Sequence, residues 1–239
     1  NFTGFAPVGT VLVAMLGIGV AEQSGLLTSL MRGLVMLAPP GALTFFVVLA
    51  GVLSSLAADS GYVVLIPLAA ALFAASGRPP LAGIAAAVAG VSAGYSANLA
   101  IGPLDAMLSG ISTEAARLVE HSADVSAAAN YYFMLASTLY VTLLATWVTE
   151  KITLRRLPPA VEAIPGESTP SLKPEEKRGL VAVALLTALF IAALLFALLP
   201  EQGLLRSDSG GVLDGPFIQG IVTIIAIYFA AAGGVYGFA

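Results

Sequence analysis

Two carboxylates, Asp59 and Asp105, lie alone inside long apolar stretches and are the residues best suited to ion or proton chemistry. Asp59 is the only charged residue within residues 34–76, and Asp105 is the only one within residues 80–112. An acid near the centre of a bilayer costs roughly 2.5–3.5 kcal/mol even on an insertion scale. Such a cost indicates a function, and the usual one is the handling of ions, protons or substrate.

The composition defines the class of protein that carries these acids. The 239 residues are 58% hydrophobic and 10% charged, with a mean hydropathy of +0.95, whereas soluble domains are about 25% charged. The apolar runs are continuous and do not alternate as barrel strands do. The sequence therefore predicts an all-α polytopic membrane protein in the lipid bilayer. The net charge of −4 and the absence of a basic, aromatic surface argue against nucleic-acid binding.

The apolar stretches give an order of segments when about 20 residues are allowed for each span. We expect a membrane segment over residues 1–149, a charged connector over 150–178, and two further spans over 179–239, the last of them truncated. The connector holds six of the ten basic residues, which predicts that it is cytoplasmic, on the same side as Arg32 and Arg78. Because the sequence begins with Asn1, we expect it to be a segment of a longer protein.

The membrane segment contains a first span within residues 6–38, interrupted by polar residues 22–25, and ends with a span over 130–149. The stretch between, residues 42–76, is too long for one span and is split at Asp59, Ser60 and Gly61. Each half would form about 25 Å of helix, slightly short of a crossing. It forms either two short spans joined by a polar turn or a re-entrant helical hairpin whose tip is Asp59, Ser60 and Gly61. The second arrangement requires protein or water around the tip, because irregular backbone at membrane depth cannot face lipid.

Residues 81–112 predict a discontinuous helix. Pro103 removes a helical hydrogen-bond donor, and small or polar residues precede it. Freed carbonyls and half-helix ends form ion and substrate sites in many transporters. Close packing of small residues explains Gly83, Gly90 and Gly94, but it does not explain Asn98 and Asp105 within two turns of a proline. The predicted substrate or coupling site comprises five residues: Ser96, Asn98, Gly102, Pro103 and Asp105.

The chemistry of this predicted site leaves two coupling ions open. Oxygen ligands from Asp59, Ser60 and Asn98 suit Na⁺, whereas Asp105 is suited to carrying a proton. We expect no other cofactor and no catalytic residue. An intramembrane aspartyl hydrolase is the alternative of a different class, but the Gly-x-Gly-Asp motif is absent. The single histidine, His121, excludes a His-Glu-x-x-His zinc site.

Six segments share distinctive patterns of glycine, proline and polar residues: residues 1–9, 19–27, 58–67, 77–83, 94–105 and 108–116. Together they resemble the AbgT family of bacterial transporters. The most specific are residues 108–116 and the run Gly-Tyr-Ser-Ala-Asn-Leu-Ala-Ile-Gly-Pro-Leu-Asp over 94–105. The resemblance covers the whole sequence.

This resemblance implies a gradient-driven transporter of p-aminobenzoyl-glutamate, or an exporter of sulfonamide-type antimetabolites, that forms homodimers in the bacterial inner membrane. It implies that residues 42–76 are the first of two hairpins, that residues 81–112 are the discontinuous helix beside it, and that Asp105 matches a functional aspartate. The second hairpin and the functional Trp, Pro and Arg of the family's other half are missing here. The direction of transport therefore stays open, and a sodium-coupled dicarboxylate-type carrier remains the alternative.

Overall fold

The computed structural model describes residues 7–39, 41–57, 60–95, 97–158, 172–200, 203–207 and 215–239. Every regular element within these ranges is helical, which confirms the predicted all-α class. The chain forms two compact units. The first comprises Asn1–Leu26, Ala100–Tyr131 and Arg178–Ala239, and the second comprises Leu27–Leu99 and Tyr132–Lys177.

The described helices are numbered here in chain order: α1 Pro7–Gln23, α2 Leu26–Met36, α3 Leu43–Leu53, α4 Ser60–Ala75, α5 Pro80–Ala93, α6 Pro103–Arg117, α7 Tyr131–Val148, α8 Pro174–Leu198 and α9 Ile221–Phe238. A 3₁₀ turn, Ser54–Ala57, follows α3, and a short helical turn, Pro216–Gln219, precedes α9. Helix α7 continues through a π-helical turn, Thr149–Thr153, to Arg156.

Three of the described helices are long and apolar enough to cross a membrane, namely Tyr131–Arg156, Pro174–Leu198 and Ile221–Phe238. The bent pair α1 and α2 adds a fourth if it counts as one span. The bend falls at the predicted polar interruption, where Gly25 has a φ of 81° that favours glycine. These helices confirm a multi-pass membrane protein.

Helices extend into both ends of the charged connector predicted over residues 150–178. The span predicted over 130–149 continues as helix to Arg156, and α8 begins at Pro174, before residue 179. The predicted ends of these two spans were placed where the apolar residues give way to charged ones. Glu, Lys and Arg are nevertheless good helix formers, so both helices extend into the charged sequence.

In the second unit, α3 and α4 both pack against α5 around a core that includes Val48, Leu65, Phe73 and Ala86. The 11-residue α3 with its 3₁₀ turn, and the 16-residue α4, each measure about 24 Å at the usual helical rises. Both fall short of the roughly 30 Å hydrocarbon core. These lengths favour a re-entrant hairpin over two full spans for residues 42–76, and the re-entrant arrangement stays a prediction.

Small residues bring these three helices together. A Cβ on Gly83 would lie 2.5 Å from the carbonyl oxygen of Ala69, and one on Gly90 would lie 2.5 Å from that of Val48. Such backbone contact is how membrane helices associate without a hydrophobic driving force. The predicted packing role of Gly83 and Gly90 is confirmed.

In the first unit, α9 packs along α1, and α6 contacts α1. Gly17 faces the backbone of Ala226 so closely that a Cβ would overlap it. The α6 contact buries Ala106. Helices α8 and α9 are joined by the hydroxyls of Thr187 and Tyr228, 2.8 Å apart.

Candidate functional site

The end of the hairpin formed by α3 and α4 meets the break in the discontinuous helix within the second unit. Gly61, in the first turn of α4, faces Ser54 so closely that a Cβ would overlap the serine side chain. A Cβ on Gly94 would lie 2.5 Å from the Cα of Val52. Glycine is therefore required at both positions, and the polar backbone at the hairpin end lies against the end of α5.

Asn98 joins the broken helix to the hairpin. Its Nδ2 donates to Ser55 Oγ at 3.0 Å, and its Oδ1 accepts from the backbone N–H of Leu99 at 2.8 Å. The side chain is only 6% exposed. An amide buried in this way must be hydrogen-bonded, so Asn98 fixes the conformation of the break. Ser55 was missed, although a Ser-Ser pair in so apolar a stretch is the signal that could have found it.

Three of the predicted residues cannot be placed in this contact. Asp59 and Ser96 lie outside the described residues, and of Ser60 only the backbone, as the first residue of α4, is described. The proposed Na⁺ ligands other than Asn98 are therefore not among the described side chains.

Asp105 lies in the first unit and has a defined structural role there. Gly102 is the extended N-cap residue of α6, Pro103 is the first helical residue, and Asp105 Oδ2 accepts from the Gly102 N–H at 2.8 Å. Proline is favoured at this position, and an acid in the first turn interacts well with the helix dipole. The predicted break at Gly102 and Pro103 is present, and Asp105 holds the start of the second half-helix.

A pair of hydroxyls lies close to the hairpin end. Tyr62 Oη is 3.1 Å from Ser92 Oγ, which links the first turn of α4 to the last turn of α5. Both side chains are exposed, and the tyrosine retains 40% of its surface. Sequence reasoning missed this pair because neither residue is charged or beside a proline.

The base of the hairpin carries an ion pair that was also missed. Arg78 Nη1 lies 2.7 Å from Glu150 Oε1 and 3.1 Å from Thr44 Oγ1, and Thr44 also donates to Glu150. Thr44 lies in the first turn of α3 and Arg78 follows α4, so both ends of the hairpin meet the π-helical turn of α7. The chain therefore leaves the hairpin beside the place where it enters it.

Short apolar helices that turn back on themselves, beside a helix broken at polar residues, are typical of membrane transporters. The described fold places this chain in that class. The sequence model of the AbgT putative transporter family matches residues 1–239, so the chain belongs to this family. The resemblance inferred from the sequence motifs is confirmed.

Three relatives support the assignment. The p-aminobenzoyl-glutamate transport protein of Escherichia coli K12 is 37% identical over 240 residues, covering 100% of this chain and 47% of that protein. The solved YdaH transporter of Alcanivorax borkumensis is 49% identical, with a TM-score of 0.88 over 99% of this chain and 50% of that chain. MtrF of Neisseria gonorrhoeae, described as illuminating a class of antimetabolite efflux pumps, is 45% identical, with a TM-score of 0.90 over 99% of this chain and 48% of that chain. The chain spans about half the length of the relatives it matches.

Proposed function

We propose that this chain is part of a secondary transporter that uses an ion gradient to move p-aminobenzoyl-glutamate or sulfonamide-like aromatic compounds across the bacterial inner membrane. The observation that carries the proposal is the family match over residues 1–239. It is supported by two relatives, one named for p-aminobenzoyl-glutamate transport and one described among antimetabolite efflux pumps. We further propose that the protein acts as a homodimer and cleaves no bond in its substrate.

The structure supports this proposal at the junction of the hairpin and the broken helix. Asn98 holds the break against Ser55, which leaves irregular backbone at a defined place beside the hairpin end. Oxygen atoms of such backbone and of nearby polar side chains are the ligands that hard cations prefer. We propose Na⁺ binding near Asp59, Ser60 and Asn98 as one coupling mechanism, and protonation of Asp105 as the other.

Reconstitution of the full-length protein in liposomes tests the function. Labelled p-aminobenzoyl-glutamate, a labelled sulfonamide and a labelled dicarboxylate are supplied under an imposed Na⁺ gradient or an imposed pH gradient. We expect flux of an aromatic compound under one gradient and recovery of that compound intact. Flux of the dicarboxylate alone, or recovery of cleaved product, would contradict the proposal.

An Asp105→Asn variant tests the coupling role. The asparagine side chain keeps an oxygen that can accept from the Gly102 N–H, so the helix start should persist while the charge is lost. Asp124→Asn makes the same change at an exposed loop residue and serves as the matched control. We expect gradient-driven flux to be lost in the first variant and kept in the second. Equal flux in both would refute a coupling role for Asp105.

A further inference from the structure

We propose that the Tyr62–Ser92 hydroxyl pair donates a hydrogen bond to a carboxylate group of the transported compound. This inference rests on the proposed function, since it concerns how the same transporter recognises its substrate. The pair lies on the second unit, where α4 begins and α5 ends, next to the hairpin–break junction.

The backbone that carries the pair is held on both sides. Gly61, the neighbour of Tyr62, is packed against Ser54, and Gly94, two residues beyond Ser92, is packed against Val52. The 3.1 Å contact between the two hydroxyls then fixes the tyrosine side chain itself. A donor positioned in this way loses little conformational freedom when it binds a ligand.

The Tyr62–Ser92 pair keeps one hydroxyl proton that can be donated to a ligand. Each hydroxyl carries one proton and two acceptor lone pairs. Only one proton is used in the contact between Tyr62 and Ser92, whichever residue donates, and no second hydrogen bond of either side chain occurs among the described residues. One O–H therefore remains as a donor, polarised by the hydrogen bond that its oxygen accepts. Hydrogen bonds to an ionised acceptor are roughly twice as strong as neutral ones.

The surroundings favour an aromatic carboxylate over a simple anion. Tyr62 exposes 40% of its surface, and Tyr95, three residues after Ser92, exposes 72%. Exposed tyrosine rings provide flat apolar surface beside a polar tip. The hydroxyl pair thus offers hydrogen bonding to the acid, and the exposed ring of Tyr62 that carries one of the hydroxyls offers apolar contact to an aryl group.

The test measures equilibrium binding of p-aminobenzoyl-glutamate and of its uncharged diamide to detergent-purified, full-length protein. Tyr62→Phe and Ser92→Ala each remove one hydroxyl of the pair and keep the backbone. We expect either change to weaken binding of the diacid by about 10- to 100-fold, while binding of the diamide changes by less than about threefold. Tyr140→Phe, at an exposed tyrosine of α7, is the matched control and should leave both ligands unaffected.

The outcomes separate the inference from the proposed function. Equal weakening of diacid and diamide shows that the pair is only a structural brace, and it overturns the inference while the transporter function stands. Unchanged diacid binding in both variants overturns it as well, and so does an equal loss of diacid binding in the Tyr140→Phe control. A wild-type protein that binds neither ligand refutes p-aminobenzoyl-glutamate as the substrate, together with the inference.

Discussion

Replacing Arg78 by Gln should loosen the base of the hairpin formed by α3 and α4. Arg78 contacts Glu150 at 2.7 Å and Thr44 at 3.1 Å, and Thr44 is almost fully buried. The arginine therefore connects the two ends of the hairpin with the π-helical turn of α7. Glutamine is too short and uncharged to keep both contacts, so the Glu150 carboxylate would lose its cationic partner.

The solvent exposure of the Arg78–Glu150 ion pair determines how much unfolding free energy the Arg78→Gln variant should lose. The side chains of Arg78 and Glu150 are 25% and 33% exposed. Removing one partner of a fully buried pair costs about 3–5 kcal/mol, whereas exposed pairs contribute about 0.2–1 kcal/mol. An intermediate loss of about 1–3 kcal/mol follows. The relatives are about twice as long as this chain, so for the full-length protein each kcal/mol corresponds to about 1–2 °C in Tm. We therefore expect Tm to fall by about 1–6 °C.

The assay is thermal unfolding of the detergent-purified full-length protein, followed by the loss of helical circular dichroism. Arg32→Gln is the matched control, because Arg32 pairs with Glu176 at the longer distance of 3.3 Å and its side chain is 41% exposed. We expect this control to lose less than about 1 kcal/mol. A double-mutant cycle with Glu150→Gln should show a coupling energy of at least about 0.5 kcal/mol. Equal losses in both arginine variants, or an additive cycle, would refute the reasoning.

Two further predictions use the same unfolding assay. The hydroxyls of Thr142 and Thr146 are buried with no hydrogen-bond partner in the part of the chain that the structure describes, so Thr142→Val should leave stability unchanged or raise it. Thr138→Val should cost about 0.5–1.5 kcal/mol, because that hydroxyl donates to the carbonyl oxygen of Met134 at 2.8 Å; the opposite ranking would indicate a polar partner for Thr142. Gly90→Ala should cost about 1–3 kcal/mol, because its Cβ would meet Val48 at 2.5 Å. Gly19→Ala, in open space on α1, should stabilise the protein, and equal effects at both glycines would contradict close packing on α5.

Features that depend on residues close together in the sequence were predictable from the sequence. The split of residues 42–76 followed from length against bilayer thickness, and the break before α6 followed from Pro103, whose ring cannot fit inside a helix. The packing role of Gly83 and Gly90 followed from the small-residue pattern of membrane helices. In each case the deciding interaction lies within one helix or between neighbouring helices.

Contacts between distant parts of the chain were not predictable in the same way. Arg78 and Glu150 are 72 residues apart in the sequence, and Thr44 and Glu150 are 106 residues apart. The sequence around each of these residues does not indicate which residue it contacts. The sequence did place Arg78 at the same side as the connector, because basic residues collect there. The charge rule gives the side of the membrane but not the identity of the contact, which depends on how α7 packs against the hairpin.

Asp105 shows how a structural role and a functional one can be separated. Its hydrogen bond to the Gly102 N–H explains why an acceptor stands at the third position of α6. An uncharged asparagine oxygen can accept the same bond, and favourable interaction of a negative charge with a helix N-terminus adds only about 0.3–1 kcal/mol at exposed sites. That gain is smaller than the roughly 2.5–3.5 kcal/mol cost of an acid near the centre of a bilayer. The start of α6 thus requires an acceptor oxygen and does not require the negative charge, which is why the Asp105→Asn variant separates folding from coupling.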